Sequence, residues 1–129
     1  MPSPKIVADD RVAIFVSEQL GFALCPPFTC LGIERDGEIT SGVLFNIFEG
    51  PGIHMTAAGT GWTRGFMRAM GEYVFGQLGC IRMTMTTESE SVALLAEKMG
   101  GKREGVMRSH FGRGRDGIIV GVLAEEYRY

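Results

Sequence analysis

Apolar and polar residues near the N-terminus alternate with the spacing of an amphipathic helix. The apolar positions recur every three or four residues and form one face: Val12, Phe15, Val16 and Leu20. Asp9 and Asp10 precede this stretch as candidate N-caps, and Gly21 follows it as a candidate C-cap. The pattern predicts a helix through RVAIFVSEQL that ends before the two prolines of CPPF, which cannot continue it.

A different pattern follows in TCLGIERDGEITSGVLFNIF, residues 29–48. Two strand-like runs flank RDGE, and an Asp-Gly pair between such runs is a strong signal for a β-hairpin. EGPG then interrupts the chain, and IHMTAA, residues 53–58, is predicted to be a short third strand.

Helical periodicity returns between Thr63 and Leu78. Its apolar positions lie on one face: Phe66, Met67, Met70, Tyr73, Val74 and Leu78. CIRMTMTT, residues 80–87, alternates as a strand does. SESVALLAEKMGG predicts a helix closed by glycine, and REGVMRSHF and DGIIVGVLAEE predict two strands around a GRGRD turn.

The predicted order is therefore helix, three strands, helix, strand, helix and two strands. The strand–helix–strand unit over 53–87 requires a crossover connection, so we expect its two strands to be parallel within a mixed sheet. The fold class is α/β, or α+β in looser usage. IIVGVL at 118–123 is apolar with little alternation, which favours a strand covered on both faces or covered by a partner chain. A homodimer is the corresponding expectation, and tyrosines at 127 and 129, taken as exposed, point weakly the same way.

Composition limits the function classes. The 129 residues are 45% hydrophobic and 22% charged, which fits one globular domain over residues 1–129. The sequence shows neither a secretion signal nor an apolar run of the ~20 residues that span a membrane, so we expect a cytoplasmic protein. The net charge of −2 and pI near 5.7 disfavour nucleic-acid binding. Three cysteines and two histidines suggest reduced thiols and show no metal-ligand spacing.

The stretch AAGTGWTRGF, residues 57–66, joins a predicted strand to a predicted helix. Unpaired backbone N–H groups and the positive end of the helix dipole suit an anion at such a junction. Gly59 and Gly61 would let the backbone approach a ligand, Thr60 or Thr63 would cap the helix, and arginines at 64 and 68 would add charge. We expect a side chain at Gly61 to occupy the space that phosphates need. The stretch matches neither the phosphate loop of nucleotide triphosphatases nor the dinucleotide fingerprint, so a plain turn stays open.

Three segments resemble the GNAT superfamily of acyl-CoA-dependent N-acetyltransferases, especially ribosomal-protein-alanine acetyltransferases and small phage-type relatives. They are YVFGQLGCIRMT at 73–84, EKMGGKREGVMR at 97–108 and DGIIVGVLAEE at 116–126. The resemblance implies a mixed, mostly antiparallel sheet with a central splayed parallel pair, flanked by about three helices. It also implies acetyl-CoA as co-substrate, no metal, and a small-molecule or protein amine as acceptor.

The resemblance and the loop chemistry together place the cofactor. In the family, pyrophosphate binds backbone N–H groups of a Q/R-x-x-G-x-G/A loop, which falls on residues 58–63 with only Gly61 matching. Ala58 and Thr63 depart from that pattern, Ser89 stands where relatives often carry an Asn, and Ala96 stands where many carry a general-acid Tyr. The expected cofactor-binding residues are Thr56, Ala57, Gly59, Thr60, Gly61, Trp62, Thr63, Arg64 and Ser89. The departures keep a second interpretation open, a GNAT-like binding or structural module without turnover.

Catalysis needs a proton acceptor and a group that polarises the thioester carbonyl. A strand N–H near Thr56 or Ala57 would do the second task. His54, on the same strand, is the candidate base because an imidazole titrates near neutrality. A histidine bonded at a sheet edge is the plainer alternative, and three glutamates that would act through water remain further candidates: Glu34, Glu38 and Glu49.

Overall fold

The computed structural model describes residues 3–21 and 23–129. The strands are β1 (Lys5–Val7), β2 (Thr29–Arg35), β3 (Glu38–Asn46), β4 (Gly52–Gly59), β5 (Arg82–Thr87), β6 (Lys102–Met107) and β7 (Gly117–Leu123). The helices are α1 (Asp10–Leu20), α2 (Arg64–Gly71) and α3 (Glu90–Lys98), with a π-helical turn over Glu72–Gln77 and a 3₁₀ turn over Ala124–Glu126.

One seven-stranded sheet organises the chain, in the order β1-β2-β3-β4-β5-β7-β6. Among the strands of the described residues, β4 and β5 are parallel and the other neighbouring pairs are antiparallel. The mixed sheet, the central parallel pair and the three helices confirm the predicted fold class. The predicted order lacked β1, a strand of three residues that pairs with β2 and is too short to show a periodicity.

Helix α1 begins and ends where its sequence predicted. The Asp9 side chain accepts a hydrogen bond from the Arg11 amide, and Gly21 closes the helix in the left-handed conformation at φ 79°. Val12 and Val16 are fully buried against one face of the sheet. Glycines at 32 and 42 allow this close approach, because a Cβ at either position would lie within 3 Å of Val12.

The hairpin between β2 and β3 is also confirmed. Asp36 and Gly37 form its two-residue turn with φ angles of 52° and 81°. Positive φ at both central residues is what a type I′ turn requires, and its twist matches that of the flanking strands.

Helices α2 and α3 cover the other face of the sheet. The predicted continuous helix over 63–78 is wrong in its second half, where the chain widens into the π-helical turn and the Leu78 amide donates to the Tyr73 carbonyl at 2.9 Å. A π turn places residues five apart above one another, so Tyr73 and Leu78 share a face. The core beneath α2 and α3 contains Phe45, Met55, Phe66, Met70, Val74, Met83, Ala96, Met99, Val120 and Val122.

The C-terminal tail and β7 are covered by the chain itself. Tyr127, expected to be exposed, is half-buried: its hydroxyl donates to the Met67 carbonyl, and its ring lies over Gly71. Burial raises the pKa of this phenol above its usual range. On β7, Val120 and Val122 face the core, and Glu104 covers the opposite face at Gly121. Within the described residues, no helix has the length and apolarity that a membrane crossing requires.

Candidate active site

The parallel pair β4 and β5 separates at its C-terminal end. Their register runs from Gly52 opposite Arg82 to Met55 opposite Met85 and stops there. Beyond that point β4 continues along β3 to Gly59, while β5 continues along β7. The edge of β4 from Thr56 onward therefore faces a gap, which confirms the expected splay. Because consecutive strand amides point to opposite edges, only one of the Thr56 and Ala57 amides faces this gap, and the other faces β3.

The glycine loop connects this open end of β4 to α2. Gly59 has φ 98°, and a Cβ there would collide with the backbone of Thr40 and Ser41, so only glycine fits. The Thr60 amide donates to the Thr40 carbonyl at 3.1 Å, which ties the loop to β3. Of the two candidate caps, the structure selects Thr63, whose Oγ1 accepts from the Phe66 amide at 3.0 Å.

Arg35, at the end of β2, contacts this loop and was missed by the sequence analysis. Its Nη2 donates to the Gly61 carbonyl at 2.9 Å. Because C=O and N–H point in opposite directions across a planar trans peptide, this bond turns the Trp62 amide away from Arg35. A Cβ on Gly61 would lie 3.6 Å from the Arg35 guanidinium. A side chain at Gly61 would therefore point towards Arg35, and its effect on phosphate binding stays a prediction.

The electrostatics at the start of α2 favour an anion. The first turns of α1 and α3 carry the acidic residues that suit a helix N-terminus, whereas that of α2 has none and begins with Arg64. Arg68 is one turn further on and Arg35 lies beside the loop. The Arg35 Nε is buried and has no hydrogen-bond partner. Arginines at 64 and 68 add positive charge to the positive end of the α2 dipole, which favours a bound anion.

The space between α2 and α3 above the splay is almost closed. It holds a cavity of only about 10 Å³. Trp62 lies at its edge with its ring centroid 5.4 Å from that of Phe66. The walls are uncharged and rich in methionine: Val43, Ala57, Trp62, Phe66, Met67, Met70, Met85, Val92, Leu95 and Met99. Unbranched methionine side chains adapt readily, so movement of Trp62 and its neighbours would widen this passage.

Ser89 follows β5, the second of the two strands that separate. It caps α3, accepting from the Val92 amide at 3.3 Å, and its own amide donates to Thr87 Oγ1. Each of the two separating strands therefore leads to a helix N-terminus: β4 leads to α2, and β5 leads to α3. Ala96 is fully buried within α3 and supplies no proton donor.

His54 lies on β4 between Ile53 and Met55, whose side chains face the α2–α3 core, so it faces the opposite side of the sheet. Its side chain is 41% exposed, and Nε2 is 3.9 Å from Glu49 Oε1. Of the three candidate glutamates, the structure brings only Glu49 to His54. Glu34 is bound to Arg11 at 2.6 Å, and Glu38 begins β3 after the hairpin turn.

A shallow cavity of about 330 Å³ surrounds His54 and is lined by Glu49, Pro51, Gly52, Ile53, Arg82 and Thr84. Arg82 forms a two-pronged ion pair with Glu104, which holds the pKa of the Glu104 carboxyl below its usual range. Glu49 is left as the carboxylate nearest to His54. Among the described side chains, no group of three or more His, Cys, Asp or Glu is placed to hold a metal ion.

Known proteins resemble this chain in structure and not in sequence. No protein-family model matches the chain, and no curated protein sequence matches it significantly. The spermidine/spermine N-acetyltransferase SpeG from Vibrio cholerae, in complex with manganese ions, superposes with a TM-score of 0.73 at 13% identity, covering 95% of this chain and 93% of that one. Mutant forms of the same enzyme give 0.72 at 13% identity, with 97% of each chain covered.

A putative acetyltransferase from T. thermophilus gives a TM-score of 0.65 at 20% identity, over 86% of this chain and 65% of that one. The chain therefore has the fold of GNAT-type acetyltransferases, which confirms the fold that the resemblance implied. At such low identity the likeness concerns the fold, and function has to be argued from the site.

Proposed function

We propose that this protein is an acetyl-CoA-dependent N-acetyltransferase acting on an amine. One observation carries the proposal: the parallel strands β4 and β5 separate beside the N-terminus of α2, where arginines and free backbone donors meet. The opening between the two strands suits the extended pantetheine arm of acetyl-CoA, which would pair with the exposed backbone of β4. A basic helix N-terminus at its mouth suits a pyrophosphate.

Within this proposal each residue has a distinct task. The Thr60 amide is already bound to the Thr40 carbonyl, so the other amides of the loop from Gly59 to Thr63 bind the pyrophosphate, and Arg64 adds charge. A β4 amide near Thr56 or Ala57 polarises the thioester carbonyl. His54, supported by Glu49, accepts a proton from the ammonium group of the acceptor.

The chemistry balances without a metal or a redox partner. The freed amine nitrogen attacks the thioester carbonyl carbon, the new C–N bond forms, and the C–S bond breaks. The second amine proton leaves as the amide forms, and the departing thiolate takes up a proton.

The residues present fit the phosphate end of acetyl-CoA more readily than its pantetheine arm. The charges of Arg64 and Arg68 at the start of α2 suit a diphosphate. The passage above the splay, at about 10 Å³, admits the arm only after Trp62 and nearby side chains move.

That requirement gives a direct test, since Trp62 is the single tryptophan of the chain. Acetyl-CoA should change the Trp62 fluorescence saturably, and calorimetry should return the same Kd. Acetylated amine and free CoA should then form in equal amounts, measured by mass spectrometry. Absence of binding at millimolar acetyl-CoA would remove the transferase proposal.

A second candidate is a GNAT-like binding or structural module without turnover. The nearly closed passage and the buried Ala96 favour it. Acetyl-CoA binding with no acetylation of any amine tested would select this candidate, whereas equal release of amide and CoA would exclude it.

We further propose that the protein works in the cytoplasm as a homodimer. Its cysteines at 25, 30 and 80 are free, which suits a reducing compartment. Strand β6 is an edge of the sheet, and Val106 and Met107 are exposed on it. An exposed apolar edge strand favours pairing with a second copy.

A further inference from the structure

A larger cavity lies at the other end of the sheet from the glycine loop, where β3 ends and β2 begins. Its volume is about 650 Å³, within the range of small-molecule sites. The lining has no charged side chain: Cys25, Pro27, Phe28, Thr29, Phe45, Asn46, Ile47, Phe48, Ile53, Tyr73 and Leu78. We call this the apolar cavity.

Two local irregularities of the backbone converge on the apolar cavity. The π-helical turn aligns Tyr73 and Leu78, and both line it. Ile47 has φ 51°, a conformation that a β-branched residue rarely adopts, and its side chain is 55% exposed at the cavity. π turns and strained backbone concentrate at functional sites because ordinary folding selects against them.

Polar groups of the apolar cavity are few and neutral. Thr29 Oγ1 and the Tyr73 hydroxyl share a hydrogen bond of 2.6 Å, and Asn46 adds an amide. Such walls suit a ligand whose main part, here called its body, is aromatic or branched aliphatic. A second or third ammonium group would lose its hydration there and find no carboxylate in the lining.

The apolar cavity adjoins the cavity around His54. Ile53 lines both, and Asn46 on β3 is the register partner of His54 on β4. Because His54 faces the opposite side of the sheet from Phe45 and Tyr73, a ligand has to pass around the end of β3, where its pairing with β4 stops at Asn46. A ligand that does so would have its apolar body among uncharged side chains and its end near Glu49 and His54. A positively charged ammonium group at that end of the ligand would be attracted by the Glu49 carboxylate.

We propose that the acceptor is a primary monoamine with an aromatic or branched aliphatic body, which binds in the apolar cavity with its ammonium group at Glu49 and His54. This assignment rests on the transferase function proposed above and specifies its substrate class. Polyamines, the acceptors named for the SpeG enzyme of similar fold, are disfavoured by the uncharged walls.

Cys25 provides a test of binding that needs no cofactor. It is the exposed cysteine and lines the apolar cavity, whereas Cys30 and Cys80 are buried and burial raises the pKa of both thiols. N-ethylmaleimide should therefore modify Cys25 first. Phenethylamine at about ten times its Kd should slow this modification roughly tenfold, because reactivity follows the unoccupied fraction. Equal protection by spermidine, or no protection by phenethylamine, would overturn the assignment.

A cavity-filling variant tests the link to turnover. Cys25→Trp should abolish acetylation of phenethylamine and leave acetyl-CoA affinity unchanged. Leu94→Trp, at an exposed position on α3, is the matched control and should keep both. If the wild type acetylates spermidine and not phenethylamine, the acceptor assignment is wrong and the transferase function stands. If acetyl-CoA does not bind, the transferase function fails, and Cys25 protection still reports whether the cavity selects monoamines.

Discussion

Arg35 shows how one side chain sets the orientation of a loop. Its bond to the Gly61 carbonyl fixes one peptide plane and so the direction of the Trp62 amide. Nothing else among the described side chains holds that carbonyl. Arg35 is thus a positioning residue for the proposed pyrophosphate site.

Replacing Arg35 with methionine keeps an unbranched stem and removes every donor. Acetyl-CoA affinity should fall roughly tenfold, the effect of losing one charge-assisted hydrogen bond. Trp62 fluorescence and calorimetry would measure it, with Arg115→Met as control because Arg115 pairs with Glu88 away from the loop. An unchanged Kd would mean that Gly59 and the Thr60–Thr40 bond suffice to orient the loop.

His54 is the residue on which the proposed chemistry depends. His54→Gln keeps a hydrogen-bonding side chain and removes the titratable nitrogen, so kcat should fall by ~10² or more while the Kd for acetyl-CoA stays nearly constant. His110→Gln, on the turn between β6 and β7, is the matched control. Equal rates for wild type and His54→Gln at every pH would assign proton removal to Glu49 through water or to the substrate.

At the scale of the element, the cap of α1 couples stability to pH. Hydrogen bonds from the Arg11 side chain and amide lower the pKa of the Asp9 carboxyl to about 2 from an ordinary 3.8. A depressed folded-state pKa means that this stabilisation is complete above about pH 4 and is lost as the pH falls towards 2. Arg11 also bridges to Glu34 on β2, so the cap helps to dock α1 on the sheet.

Asp9→Asn should preserve a capping oxygen and remove this titration. The difference in free energy of unfolding between wild type and variant, measured in urea, should therefore shrink between pH 4 and pH 2. Glu88, Glu90 and Glu104, whose pKa values are also lowered by arginines, titrate in both proteins and cancel in the comparison. A pH-independent difference would show that Asp9 does not stabilise the fold through its charge.

At the scale of the whole molecule, the proposed assembly is a homodimer. The apolar run of β7, which first suggested a partner, is covered on its core face by α3 and at Gly121 by Glu104. The sheet has two edge strands, β1 and β6, and on β6 Val106 is 61% and Met107 42% exposed. Charged residues occupy its first half, at 102–104, so the apolar second half is where two copies would meet.

Light scattering should therefore give the mass of a dimer at high micromolar concentration, and Val106→Lys should convert it to a monomer without lowering the Tm. Leu94→Lys, the same kind of apolar-to-lysine change at an exposed position of α3, should leave the dimer intact. A wild-type monomer, or a Val106→Lys dimer, would place the interface elsewhere or remove it.

The sequence by itself determined the helices and turns that are specified by residues close together in the chain. Asp9 and Gly21 bounded α1, the Asp36–Gly37 pair specified the hairpin, and the crossover through α2 required a parallel β4 and β5. Periodicity and capping act over a few residues, so they are readable without the fold. β1 was missed because three residues are too few for a period, and the π turn because its apolar pattern resembles that of an α-helix.

Only the tertiary structure decided which distant residues meet. Arg35 contacts Gly61 across 26 positions because β2, β3 and β4 pair side by side, and Tyr127 reaches Met67 across 60 because the tail folds back over α2. The apolar cavity likewise combines the end of β3, the loop before β2 and the π turn. These contacts follow from the order of the strands in the sheet and from the packing of the whole chain. A local pattern of residues encodes neither the strand order nor the packing.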